Sequence, residues 1–187
     1  MDELPKGFTI NMGAFVHPKL TELKNGKLVT GLTKKVCLPV FVDSTYCLGY
    51  IFGSFLACGV ANLTDYKKST RGITIFKPKV GYEYDYEKLS NCIYEVFGLK
   101  TSVRDRFLYV YSVALTKLLK EFGVNKGKHL PKKYYVNHEE YNDGLLNGMQ
   151  DFHVDSPDIY TSSTYKRPTS KFVTELFFRL QERKNML

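Results

Sequence analysis

The sequence has no tryptophan and only four cysteines, Cys37, Cys47, Cys58 and Cys92. They form no CxxC pair and no His-x-x-x-His accompanies them, so neither a zinc site nor a disulfide framework is expected. The stretch Met1-Asp2-Glu3-Leu4-Pro5-Lys6 lacks an apolar h-region, so no secretory leader is expected. Long hydrophobic runs are missing too. The longest nearly apolar one, Cys47 to Ala61, is too short to span a bilayer and is broken by glycines. These absences lead to the expectation of an intracellular protein in a reducing compartment, cytoplasmic or nucleoid-associated, with no membrane partner. Acidic residues are in deficit, with 19 Asp and Glu against 27 Lys and Arg, for a net charge of +8. An excess of this size favours polyanionic partners, although solubility alone would also account for it. What the chain does have is bulk: 43% of its 187 residues are hydrophobic, enough for one sizeable core or two small similar subdomains.

Residues 1–43 read as a β-rich extension. Phe8 to Met12 predicts a strand, and Asn25-Gly26 marks a hairpin turn between Thr21-Glu22-Leu23 and Leu28-Val29-Thr30. Val36 to Val40 then leads into a first helix, capped by Asp43 or Ser44 and running to Cys58. Strand-like 60–66 and 72–77 follow, then a helix over about 84–97 ended by Gly98. A second hairpin is predicted over 99–111, turning at Asp105-Arg106, and a third helix over 113–122. The pattern then restarts. A helix over 138–150, a strand over 159–165 and a final helix after Thr169 or Ser170 complete the chain.

Two stripes of small residues stand out. Gly49, Gly53 and Ala57 lie on one line of the first helix, and Gly144 and Gly148 on one line of the fourth. Glycine costs a helix about 1 kcal/mol relative to alanine, so the stripes make sense where another backbone must come close. Their recurrence marks an internal repeat whose second copy is short.

Leu48-Gly49-Tyr50-Ile51-Phe52-Gly53-Ser54-Phe55-Leu56-Ala57-Cys58-Gly59 and Gly144-Leu145-Leu146-Asn147-Gly148-Met149-Gln150-Asp151-Phe152-His153 resemble the two motifs of the LAGLIDADG homing endonucleases, including those carried in inteins. The stretches 124–135, 161–163 and 170–172 also resemble the text around the second motif, so the resemblance covers about residues 30–185. It implies an α+β fold, an αββαββα pseudo-repeat with saddle-shaped antiparallel sheets, here with the second repeat incomplete. The corresponding divisions are 1–43, 44–136 for the first repeat and 137–187 for the truncated second. It further implies that the motif helices pair at glycine-backbone distance and that the sheets lie in the major groove of duplex DNA. In the family each motif ends in an acid, and the two acids hold divalent metal beside the scissile phosphates.

Both acid positions are changed. The first holds Cys58 and the second His153, with Val154 where glycine is expected. Neither supplies the oxygen that Mg²⁺ prefers. Asp151 matches the motif's earlier acid, which serves the helix end, and Asp155 lies two residues past His153. The resulting expectation is a nucleic-acid-binding protein, on double-stranded DNA, that has lost cleavage and needs no cofactor. Three alternatives stay open. One is an active endonuclease using Mg²⁺ on shifted ligands such as Asp151, Asp155 or Asp65. Another is a protein-interaction module, or self-association, through the incomplete second sheet. The last is half of a split enzyme. Candidate phosphate contacts are the basic residues at turns and in the inter-repeat loop: Lys67, Lys68, Arg71, Arg104, Arg106, Lys126, Lys128, Lys132 and Lys133.

Overall fold

A computed structural model describes residues 4–31, 35–66, 69–78, 84–123, 127–152 and 171–186. It opens with five short strands: β1 (Thr9–Asn11), β2 (Thr21–Lys24), β3 (Lys27–Thr30), β4 (Val36–Pro39) and β5 (Phe41–Asp43). β1 pairs with β5, and β2, β3 and β4 form a separate antiparallel sheet. Asn25 and Gly26 both adopt left-handed backbone, as a two-residue hairpin between β2 and β3 requires.

Next come α1 (Tyr46–Cys58), β6 (Gly59–Tyr66), β7 (Ser69–Phe76), α2 (Glu87–Phe97), β8 (Thr101–Arg104), β9 (Phe107–Tyr111) and α3 (Val113–Lys120). β6 to β9 make one antiparallel sheet in the order β6-β7-β9-β8. Two further helices, α4 (Glu139–Asp151) and α5 (Lys171–Asn185), complete the described residues. The protein is thus α+β, with five α-helices and antiparallel sheets among the described residues. None of these helices is long and apolar enough to cross a membrane. The strand predicted over 159–165 lies outside the described residues.

Two local expectations change. The sequence runs Val40 straight into a helix capped by Asp43 or Ser44, whereas β5 intervenes and Thr45 is the cap, accepting from the Leu48 N–H at 3.3 Å. Tertiary partners take the other two candidates. The Ser44 hydroxyl accepts from the Phe8 N–H at 3.2 Å, and the Asp43 carboxylate accepts from the Thr9 hydroxyl at 2.6 Å. The N-terminal segment also shares the common core, since Ile10, Met12, Leu28, Leu38 and Val42 belong to the same buried cluster as α1 and α4. Phe8 packs its ring 5.0 Å from Tyr134 and 5.1 Å from Tyr141.

α1 is apolar on nearly every side and is buried accordingly, from Leu48 through Leu56. Phe52 and Phe55 meet Phe122 at 4.7 and 5.8 Å, joining α1 to the end of α3. On another side α1 lies against α4 with no side chain between them. A Cβ on Gly49 or Gly53 would collide with the α4 backbone at Tyr141 and Leu145. A Cβ on Gly144 or Gly148 would collide with the α1 backbone at Tyr46, Tyr50 and Ser54. The two glycine stripes therefore face one another.

This contact is directly testable. A Cβ at position 53 would sit 2.9 Å from the Leu145 carbonyl carbon and closer still to its oxygen, and helix backbone cannot step aside as a flexible side chain can. Gly53→Ala is expected to cost about 3 kcal/mol or more. Gly127→Ala, where nothing lies within 4 Å, serves as the control and should stay within about 0.5 kcal/mol. Urea unfolding midpoints measure both; equal midpoints for the two variants would contradict the close approach.

Candidate nucleic-acid interface

In a sheet, residues paired across strands share a face. Val60, Ile75, Tyr109 and Ser102 are in register, as are Asn62, Ile73 and Tyr111, then Thr64 with Arg71, and Phe107 with Arg104. These define one face of the β6–β9 sheet. The helices cover the other: Thr74 and Thr116 hydroxyls lie 3.2 Å apart, Gly72 abuts the Val113 backbone, and Phe76, Leu108 and Val110 are fully buried.

The first face is open along much of its length. Asn62, Thr64, Arg71, Arg104 and Tyr111 are exposed, Val60, Ile73, Ser102, Phe107 and Tyr109 are half-buried, and Ile75 at the centre is buried. The Tyr109 and Tyr111 rings stack at 6.4 Å, and Lys77 places its ammonium 5.5 Å from the centre of the Phe107 ring. No carboxylate occupies these face positions. Asp65 falls on the opposite parity of β6 and accepts from the Thr70 hydroxyl at 2.8 Å. At the β8–β9 tip, Asp105 and Arg106 both hold left-handed backbone, φ 49 and 66, where glycine would be the unstrained choice.

The candidate cations therefore separate. Arg71 and Arg104 share the open face, and Arg106 stands at its hairpin tip. Lys67, Lys68 and Lys126 lie outside the described residues. Lys128 serves a different end: its ammonium donates to the carbonyls of Phe55 at 2.8 Å and Gly59 at 3.2 Å, covering the C-terminus of α1. Lys133 pairs with Glu121 at 2.7 Å, and Lys132 is exposed on the same short helical turn. Sequence reading missed Lys77 and Asn62. Strand parity carried forward from Arg71 and Tyr109 would have found them.

The motif ends have a different character. Cys58 closes α1 and is 8% exposed. Burial pushes its thiol up to about 12, against smaller opposing effects from Lys128 and the Lys77 backbone N–H. Burial, and next the nearby Cys58, raise the Tyr86 phenol, whose hydroxyl donates to the Arg106 carbonyl at 2.7 Å. Phe152, just past α4, is 2% exposed and stacks on Tyr84 at 5.7 Å and Tyr86 at 6.0 Å. His153 and Asp155 lie outside the described residues.

Asp151 is engaged within the helix pair. It accepts from the Tyr50 hydroxyl at 2.6 Å and faces the Lys88 ammonium at 3.5 Å. Lys88 in turn sits over the Tyr50 ring at 4.4 Å. A protonated, buried thiol and a carboxylate already satisfied by a phenol and an ammonium do not fit a hard divalent cation. Among the described residues no three His, Cys, Asp or Glu side chains cluster as a metal site would require.

No family model matches this chain, and no curated protein matches it.

The Cys58 thiol yields a pH prediction. Its folded pKa of about 12 stands above the ordinary 9.0, so folding favours the neutral form. That stabilisation is complete below about pH 9 and is lost as pH rises towards 12. Over that window the wild type should lose stability more steeply than Cys58→Val, measured by denaturant unfolding at each pH. Parallel slopes would refute a buried neutral thiol.

Proposed function

We propose that this chain is a LAGLIDADG-type, homing-endonuclease-like protein that binds double-stranded DNA without cutting it. The observation that carries this reading is the open face of β6–β9, with Arg71, Lys77 and Arg104 among stacked tyrosines and the Asn62 amide and no carboxylate at its paired positions. Arginine and lysine neutralise phosphates, and exposed strand side chains such as Asn62 reach base edges when a β-ribbon enters a major groove.

Three features support the family assignment behind the proposal. The order helix, two strands, helix, two strands, helix over 46–120 is the one the resemblance implies. Among the described residues, one face of the sheet carries no helix. The two motif helices meet through their glycines. Loss of cleavage is supported by the chemistry of the motif ends, where Cys58 is buried and protonated and Asp151 is held by Tyr50 and Lys88.

Fluorescence anisotropy on duplex DNA across a salt series is the test. Binding should weaken as salt rises, and Arg71→Ala or Arg104→Ala should each lower the slope of log K against log[salt] by about one. Lys128→Met should leave that slope unchanged, because its ammonium is spent on α1 carbonyls. Incubation with Mg²⁺ should leave a library of duplex targets uncut. Absence of duplex binding at low salt would sink the reading, and preference for structured RNA would redirect it. A specific double-strand cut abolished by Asp155→Ala would restore the enzyme.

A further inference from the structure

α1 and α2 enclose a cleft of about 380 Å³, lined by Tyr46, Asp85, Glu87, Lys88 and Glu95 together with two cysteines. Cys47 lies in the first turn of α1 and Cys92 in the middle of α2, 45 residues apart in sequence. Their sulfurs are 2.7 Å apart. Non-bonded heavy atoms normally rest at about 3.5 Å or more, and a disulfide bond is about 2.05 Å long, so the pair stands closer to bonding than to ordinary contact. Both residues sit on helices of the common core, which hold the sulfurs together without a flexible loop. Cys47 is half-exposed towards the cleft and Cys92 is 4% exposed behind it.

We propose that Cys47 and Cys92 form a redox modification site, oxidised to an intramolecular disulfide by a small peroxide and restored by a dithiol reductant. The Cys47 sulfur takes one oxygen from hydrogen peroxide as the O–O bond breaks, giving a sulfenic acid and one water. The Cys92 sulfur then displaces that oxygen as a second water and forms the S–S bond. Two thiols lose two electrons and two protons in all, and the peroxide gains both. Burial holds both thiols above their ordinary range; Glu95 adds to this and Lys88 opposes it at Cys92. The pair is therefore slow to react and responds to sustained oxidant. The bond would tie the first turn of α1 to α2 and leave the β6–β9 face unaltered. It stands independently of DNA binding.

The full chain is treated with hydrogen peroxide, unfolded, alkylated and mapped by mass spectrometry. The expected product is one peptide pair joining Cys47 to Cys92, lighter by two hydrogens and separated by dithiothreitol. Tm should rise by about 10 °C on oxidation and return on reduction. Cys92→Ala should show neither change; the wild-type map stands even if that variant folds poorly. Recovery of Cys47 and Cys92 as separate alkylated or over-oxidised peptides would overturn the proposal. So would protection of both thiols by Zn²⁺ alone, which would make the pair a metal site.

Discussion

The contact between α1 and α4 constrains everything around it. Two helices meet with backbone against backbone because Gly49, Gly53, Gly144 and Gly148 leave no side chain between them. Such an approach brings many main-chain atoms into dispersion contact, and any Cβ there must push the helices apart. The approach also fixes the depth at which Tyr50 and Asp151 meet and the position from which Lys88 closes over them. The segment before β1 then packs beside the pair, with Phe8 on Tyr134 and Tyr141 and the Asn137 N–H donating to the Pro5 carbonyl.

With α1 anchored on α4, its remaining sides supply the floor for the β6–β9 sheet. Phe55 against Phe76 and Thr74 against Thr116 commit one sheet face to the helices. The opposite face is left to solvent by default, and period-two alternation decides which residues appear there. Arg71, Arg104, Tyr109 and Tyr111 share it because register aligns them, Lys77 just past β7 reaches it over the Phe107 ring, and the carboxylate of Asp65 is turned to the other side. A surface of this kind is suited to a polyanion, and the proposed DNA-binding role follows from that sorting of charge more than from net charge.

The ends of the two paired helices show the opposite sorting. Where a cutting enzyme of the proposed family needs oxygen ligands and water, this chain places a buried thiol near Tyr86, whose ring stacks with Phe152. Lys128 occupies the carbonyls at the end of α1. Apolar packing and a helix-capping ammonium stabilise the helix end, and both work against holding a hydrated divalent ion. The scaffold and the chemistry at its centre thus point in different directions, which is the basis for proposing binding without cleavage.

Much of the local structure was legible in the residues alone, because it depends on short-range rules. Asn25-Gly26 set the first hairpin, Gly98 ended α2 and the paired glycines marked the faces of α1 and α4. The cap of α1 was misplaced, since Asp43, Ser44 and Thr45 are nearly equivalent caps until Phe8 and Thr9 claim the first two from across the fold. The basic residues read alike in sequence, yet packing set Lys128 over the end of α1 and Lys133 beside Glu121, while strand register put Arg71 and Arg104 on the open face. The meeting of Cys47 and Cys92 had no sequence signal at all. Propensity and periodicity act over a few residues and so belong to the sequence; which face a cation occupies and which thiols touch depends on distant segments, and only the tertiary structure decides that.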